Sequence, residues 1–167
     1  AGTGEVVGFA GTTLAVTNNP VGGATLYTVN SDYATTLLGD VDFATFFTNN
    51  PVTGFTLDSV TSVAITDQGF GFAALQNDSG PVGRIGIFNA ATGAVIGSVE
   101  AGNFPDQIVV AGTRVLLANE GELGESSGDA DVLNDTAGSI TVYEFTGGDN
   151  ASTILATLQG QSNRNFG

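Results

Sequence analysis

Six carboxylates and two side-chain amides fall between Asn119 and Asp135, in a stretch that also holds Gly121, Gly124 and Gly128. Calcium takes about six to eight oxygen donors in loose geometry, and glycines let backbone carbonyls turn inward to join them. The candidate ligands are Asn119, Glu120, Glu122, Glu125, Asp129, Asp131 and Asp135. Folded without a cation, these acids repel one another; a bound ion removes that penalty. The bland alternative is a solvated acidic loop. Asp129-Ala130-Asp131 lacks the Gly and terminal Glu that an EF-hand loop needs at fixed spacing. The chain has no His and no Cys, so zinc and copper lack their usual ligands.

Other chemistries have little to work with. A Ser-His-Asp triad, a Cys nucleophile and a Lys Schiff base are all excluded by composition, because His, Cys and Lys are absent. Phosphoester hydrolysis needs electropositive clamps, and the only cationic side chains are Arg84, Arg114 and Arg164. Arg84 and Arg114 lie within strand patterns, where cross-strand pairing is their expected role. Paired acids serve glycosidases, yet acids in a Gly-rich loop more often face an ion or solvent. The expectation leans away from an enzyme.

The net charge of −14 opposes binding to phosphate backbones and to anionic membrane surfaces. It suits divalent cations, high salt or solubility outside the cell. Hydrophobic residues make up 41%, too many for a disordered acidic chain. No apolar run approaches membrane-span length, so no membrane insertion is expected. The chain begins at Ala1 rather than Met, as a processed or trimmed chain would.

Elements to hold the acidic stretch come as short strands with Gly and Asn turns. The first group is Glu5 to Phe9, Thr13 to Thr17, Ala24 to Val29 and Thr35 to Leu38. The second is Ser59 to Ile65, Phe70 to Leu75, Arg84 to Phe88 and Ala94 to Val99. The third is Gln107 to Val110, Arg114 to Ala118, Ser139 to Phe145 and Thr153 to Leu158. Residues 41–58 form a Phe-rich connection, read as a hairpin or long link whose Asp42 to Phe47 fits a helical turn or a strand. Its aromatics suit core packing, or a contact patch for a neighbouring subunit. No stretch shows helical periodicity with caps.

The third strands repeat a pattern: Gly23 to Val29, Gly83 to Asn89 and Gly138 to Glu144 each open on Gly and place large residues at alternate positions. Leu14 to Asn18 likewise resembles Leu116 to Asn119. Units of this size with four strands are the mark of propeller blades. The fold class is therefore all-β, with about three antiparallel four-stranded blades at 4–40, 59–100 and 104–158 in a single domain of 167 residues. A propeller closes with about four to eight blades. Three are completed by copies of the chain, by the remaining blades of a longer chain, or stack as an open array.

In order along the chain stand Glu5-Val6-Val7, Leu14 to Asn18, Val60 to Ala64, Gly83 to Phe88, Pro105-Asp106, Leu117-Ala118-Asn119-Glu120-Gly121-Glu122 and Gly138-Ser139-Ile140. This series resembles the amino-terminal blades of the Choice-of-anchor I domain family. The resemblance implies an exported, surface-attached microbial β-propeller with a capacity for metal binding, and relatives of alkaline-phosphatase-like description. The leading expectation is an extracellular or cell-surface structural or adhesive protein, calcium-stabilised and self-associating. The alternative is a fragment of a secreted propeller phosphoesterase. A glycan-binding module using exposed Tyr27, Tyr33 and Tyr143 ranks last, because Trp is absent.

Overall fold

The computed structural model describes residues 5–120, 137–146, 150, 153–161 and 164–166. Twelve strands among them form three antiparallel sheets. The first sheet has the order β1 (Val7–Ala10), β2 (Thr13–Asn18), β3 (Gly23–Val29) and β4 (Thr35–Asp42). The second is β5 (Leu57–Ile65), β6 (Phe70–Asn77), β7 (Val82–Asn89) and β8 (Val95–Asn103). The third is β9 (Pro105–Ala111), β10 (Arg114–Asn119), β11 (Ser139–Glu144) and β12 (Arg164–Phe166). Each sheet is a meander in chain order, which is blade topology.

The blades stack through their first strands. β5 packs against β1 on one side and β9 on the other. Each contact encloses its own apolar layer. Ala15, Leu26 and Phe43 meet Val63, Leu75 and Phe88 between the first two blades. Phe72, Ile85 and Ile87 meet Ile108, Leu117 and Tyr143 between the second and third. Period-two alternation dictates this: successive side chains on a strand feed opposite layers. Gly71 lets the Phe88 ring lie across the adjacent strand; a Cβ there would fall 1.9 Å from the ring.

Two α-helices stand among the described residues, the first where a helical turn or a strand was left open and the second where a strand was expected. α1 (Phe43–Asn49) starts at Asp42, whose Oδ1 accepts from the Thr45 N–H at 2.7 Å. This is a side-chain N-cap. Asn50 closes the helix, and Pro51 follows, which cannot continue it. Phe43 and Phe47 are buried, while Phe46 and Phe55 pack partly buried against the same layer. The Phe-rich connection thus serves the core between the first two blades.

α2 (Ile154–Gln159) replaces the strand expected at Thr153 to Leu158, and the fourth strand of the last sheet is β12. Ile154 and Leu158 are fully buried, four residues apart. The same residues also alternate, so a short apolar run fits either period. Tertiary packing decides it. Leu155 seats over Gly97 of β8, where a Cβ would lie 2.5 Å from its side chain.

Candidate functional site

Asn119 is the last residue of β10 and Glu120 follows it, exposed. Glu122, Glu125, Asp129, Asp131 and Asp135 lie outside the described residues. Among the described residues no group of three or more acids is placed to hold a metal.

Asn119 itself is buried. Its Nδ2 donates to the Ser139 Oγ at 3.0 Å, to the Thr141 Oγ1 at 3.0 Å and to the Ser139 carbonyl at 3.4 Å. Its Oδ1 is buried and has no hydrogen-bond partner among the described residues. The amide lies flat on Gly102 of β8; a Cβ there would stand 2.4 Å from Nδ2 and 3.0 Å from Oδ1. An unpaired buried acceptor costs about 1–3 kcal/mol. In sequence this oxygen stands one residue before the acid-rich segment.

The strand register brings two separated sequence pieces together here. Asn119 pairs with Pro105, and the β9–β10 register slips between Ala118 and Asn119, leaving Asp106 as the extra residue. Such a bulge re-aims a strand end. The Glu120 N–H donates to the Phe104 carbonyl at 3.0 Å, and Phe104 takes a left-handed φ of 50°. The Thr61 hydroxyl donates to the Pro105 carbonyl at 2.9 Å, which ties this corner to β5.

The site's asparagine has counterparts. β2, β6 and β10 end in Asn18, Asn77 and Asn119. Asn18 Nδ2 donates to the Thr25 hydroxyl at 2.9 Å, and Thr25 donates on to Asp40 at 2.7 Å. Asn77 accepts from the Thr56 and Ser79 N–H groups and donates to the Gly54 and Val82 carbonyls. Asn77 also heads a glycosylation-type triplet, but its amide is wholly committed to holding this turn.

Arg114 and Arg84 are engaged within the blades. Arg114 pairs with Glu144 across β10 and β11 at 2.8 Å, on the surface. Arg84 donates to the Ser98 hydroxyl at 2.7 Å and the Ser98 carbonyl at 3.2 Å, with its guanidinium 5.9 Å from the Phe55 ring centre. Burial lowers the Arg84 pKa against the opposite pull of Glu100 and Tyr143. Tyr143 donates to the Glu100 carbonyl at 2.8 Å, and burial chiefly raises its pKa. Tyr143 is buried, which removes it from the exposed aromatic platform expected for glycans; Tyr33 is exposed and Tyr27 half-buried.

The sequence matches the family described as Choice-of-anchor I domain over residues 7–165. That span runs from the first residue of β1 into β12 and takes in all three sheets. The chain belongs to the Choice-of-anchor I domain family. No curated protein gives a significant match. Hsv2p of Kluyveromyces lactis superposes with a TM-score of 0.49 at 15% identity, over 87% of this chain and 39% of that one. Kuenenia stuttgartiensis hydrazine synthase gives 0.48 at 13% identity, over 83% and 37%. The Choice-of-anchor I chain thus spans about two fifths of the length of these solved structures. Family membership marks it as part of an extracellular, surface-anchored protein of propeller-like fold. Among the described residues no helix is long and apolar enough to cross a membrane.

Proposed function

We propose that this chain is a structural or adhesive component of an extracellular surface protein, stabilised by calcium and associating with copies of itself. The observation that carries this reading is an apolar sheet face left open on each end blade. Val7 and Phe9 of β1 are 61% and 58% exposed, and Val109 and Ile140 of the third blade 48% and 47%. The corresponding faces of the middle blade are buried on both sides. Exposed apolar area of this kind is the usual mark of an interaction surface. Sedimentation velocity tests it: a mass that rises above 16.8 kDa with concentration is expected. A constant 16.8 kDa across the micromolar range overturns it.

Calcium enters through Asn119. Its Oδ1, without a hydrogen-bond partner among the described residues, is a neutral oxygen of the type calcium accepts, one residue before the first of six acids. Asn119 and Glu120 would supply the described part of the ligand set, with the sequence's later acids the rest. The ion would offset their mutual repulsion. The phosphoesterase alternative rests on the family's description alone, since Arg84 and Arg114 are both engaged within the blades.

A further inference from the structure

We propose that the cleft between the second and third blades binds a small zwitterion, a free amino acid with a short apolar side chain, its carboxylate on Arg84 and its ammonium on Glu100. The site is independent of the calcium and the self-association proposed above.

Arg84 breaks the blade repeat. Val16, Leu75 and Leu117 each stand two residues before a strand-end asparagine, and they pair across the sheet with Thr25, Arg84 and Thr141. In the first and third blades that asparagine donates to the hydroxyl of the buried threonine. The middle blade sets a half-buried cation there instead. Its guanidinium donates to the Ser98 hydroxyl and the Ser98 carbonyl, and it carries more N–H groups than these bonds use. The Phe55 ring covers one face of the guanidinium and leaves its rim. Among the described residues no carboxylate pairs with it. Burial outweighs Glu100 in setting its pKa, as a guanidinium without an acid in contact should show. Charges taken out of water are ordinarily paired.

Glu100 stands opposite Arg84 on β8. Opposite charges so placed attract, yet these two make no ion pair. The Glu100 side chain is exposed and has no hydrogen bond among the described residues. Both residues line one cavity of about 260 Å³. Tyr143 lines it as well. Its hydroxyl donates to the Glu100 carbonyl, which leaves the oxygen lone pairs to accept from an ammonium. Buried Val99 and Leu158 supply an apolar wall.

Charge selects the ligand. The chain's −14 repels a simple anion, and Arg84 repels a simple cation at this spot. A ligand whose own charges cancel avoids both penalties. A carboxylate and an ammonium on one carbon match a cation and an acid held side by side. Size narrows the choice, because the cavity lies below the about 300–1,000 Å³ of pockets that take drug-sized ligands. A free amino acid meets both conditions, and Val99 and Leu158 suit a short apolar side chain.

Backbone amide chemical shifts, followed as L-alanine is added to the whole chain, test the site. Saturable shifts centred on Ser98, Glu100 and Tyr143 are expected. Acetate and methylammonium, which each carry one of alanine's charges, should bind about tenfold or more weakly, the factor a charge-assisted contact supplies. Arg84→Gln and Glu100→Gln should each weaken alanine by about the same factor, with unfolding midpoints checked against the parent chain. Glu100 is exposed, so Glu100→Gln decides the question if Arg84→Gln fails to fold. No shift up to tens of millimolar alanine overturns the site, as does binding that neither substitution weakens. Acetate that binds as tightly as alanine overturns the zwitterion and the role of Glu100.

Discussion

Asn119 donates from its Nδ2 to the Thr141 hydroxyl at 3.0 Å, fastening the end of β10 to β11. Gly102 of the neighbouring blade lies against the same amide. The corner is thus shared by two blades, and substitutions at its two sides are coupled.

Gly102→Ala is expected to destabilise the chain by about 1–3 kcal/mol, because the new methyl overlaps the Asn119 amide. Asn119→Ala costs a similar amount, since Thr141 and Ser139 each lose a donor partner. The double variant should cost less than the sum, because truncating Asn119 vacates the space that the new methyl on Gly102 needs. Denaturant unfolding of the four proteins measures this coupling. Strict additivity contradicts the contact.

Asp42→Ala removes the cap of α1 and should cost about 0.5–2 kcal/mol. For a chain of this size each kcal/mol is roughly 2–4 °C in Tm. Thermal melting followed by far-ultraviolet circular dichroism reads the shift. Asp42→Asn keeps the oxygen acceptor and should restore most of the loss.

Tyr143 gives a pH signature. Its phenol pKa is raised in the folded chain, chiefly by burial and then by Glu100, against Arg84. The native state therefore holds its proton where the unfolded chain has begun to lose it. Its contribution is complete below the unfolded value of about 10. It is lost as pH rises from there through the higher folded value. Tyr143→Phe loses the bond to the Glu100 carbonyl, about 1 kcal/mol at neutral pH. It should also flatten the alkaline fall in stability. Unfolding midpoints between neutral pH and the alkaline limit compare the two proteins.

Arg114→Ala should change stability little, by about 0–1 kcal/mol, because its pair with Glu144 is more than half exposed on both sides. A larger loss in urea unfolding contradicts the assignment of this pair to the surface.

The blade architecture was legible because it rests on alternation. Leu14 to Asn18 and Leu116 to Asn119 share a pattern, and the structure places both at the second strand of a blade. The cross-strand roles of Arg84 and Arg114 followed from the same alternation. The two helices were left unassigned for different reasons. In α1 a helical turn at Asp42 to Phe47 was one of two readings left open, because the three phenylalanines of FATFFTN fit an aromatic strand as well as a helix. In α2 the short run from Ile154 to Leu158 satisfies both periods, and only Gly97 on a distant strand breaks the tie. β12 was hidden because three residues carry no period. At the site, Asn119 was picked out for its oxygen, but its burial came from Gly102 and from the bulge opposite Pro105. Neither is adjacent in sequence. The repeat of Asn18, Asn77 and Asn119 at strand ends was the signal available for that corner.

The calcium-stabilised reading meets its most direct test in thermal unfolding of the chain with excess calcium and then with chelator. A hundredfold excess of calcium over its dissociation constant should add about 2.7 kcal/mol. Asn119→Ala should shrink that calcium-dependent gain, beyond its own effect in chelator. Identical melting with calcium and with chelator would contradict a structural ion at this corner and leave the acids from Glu120 to Asp135 as solvated charge.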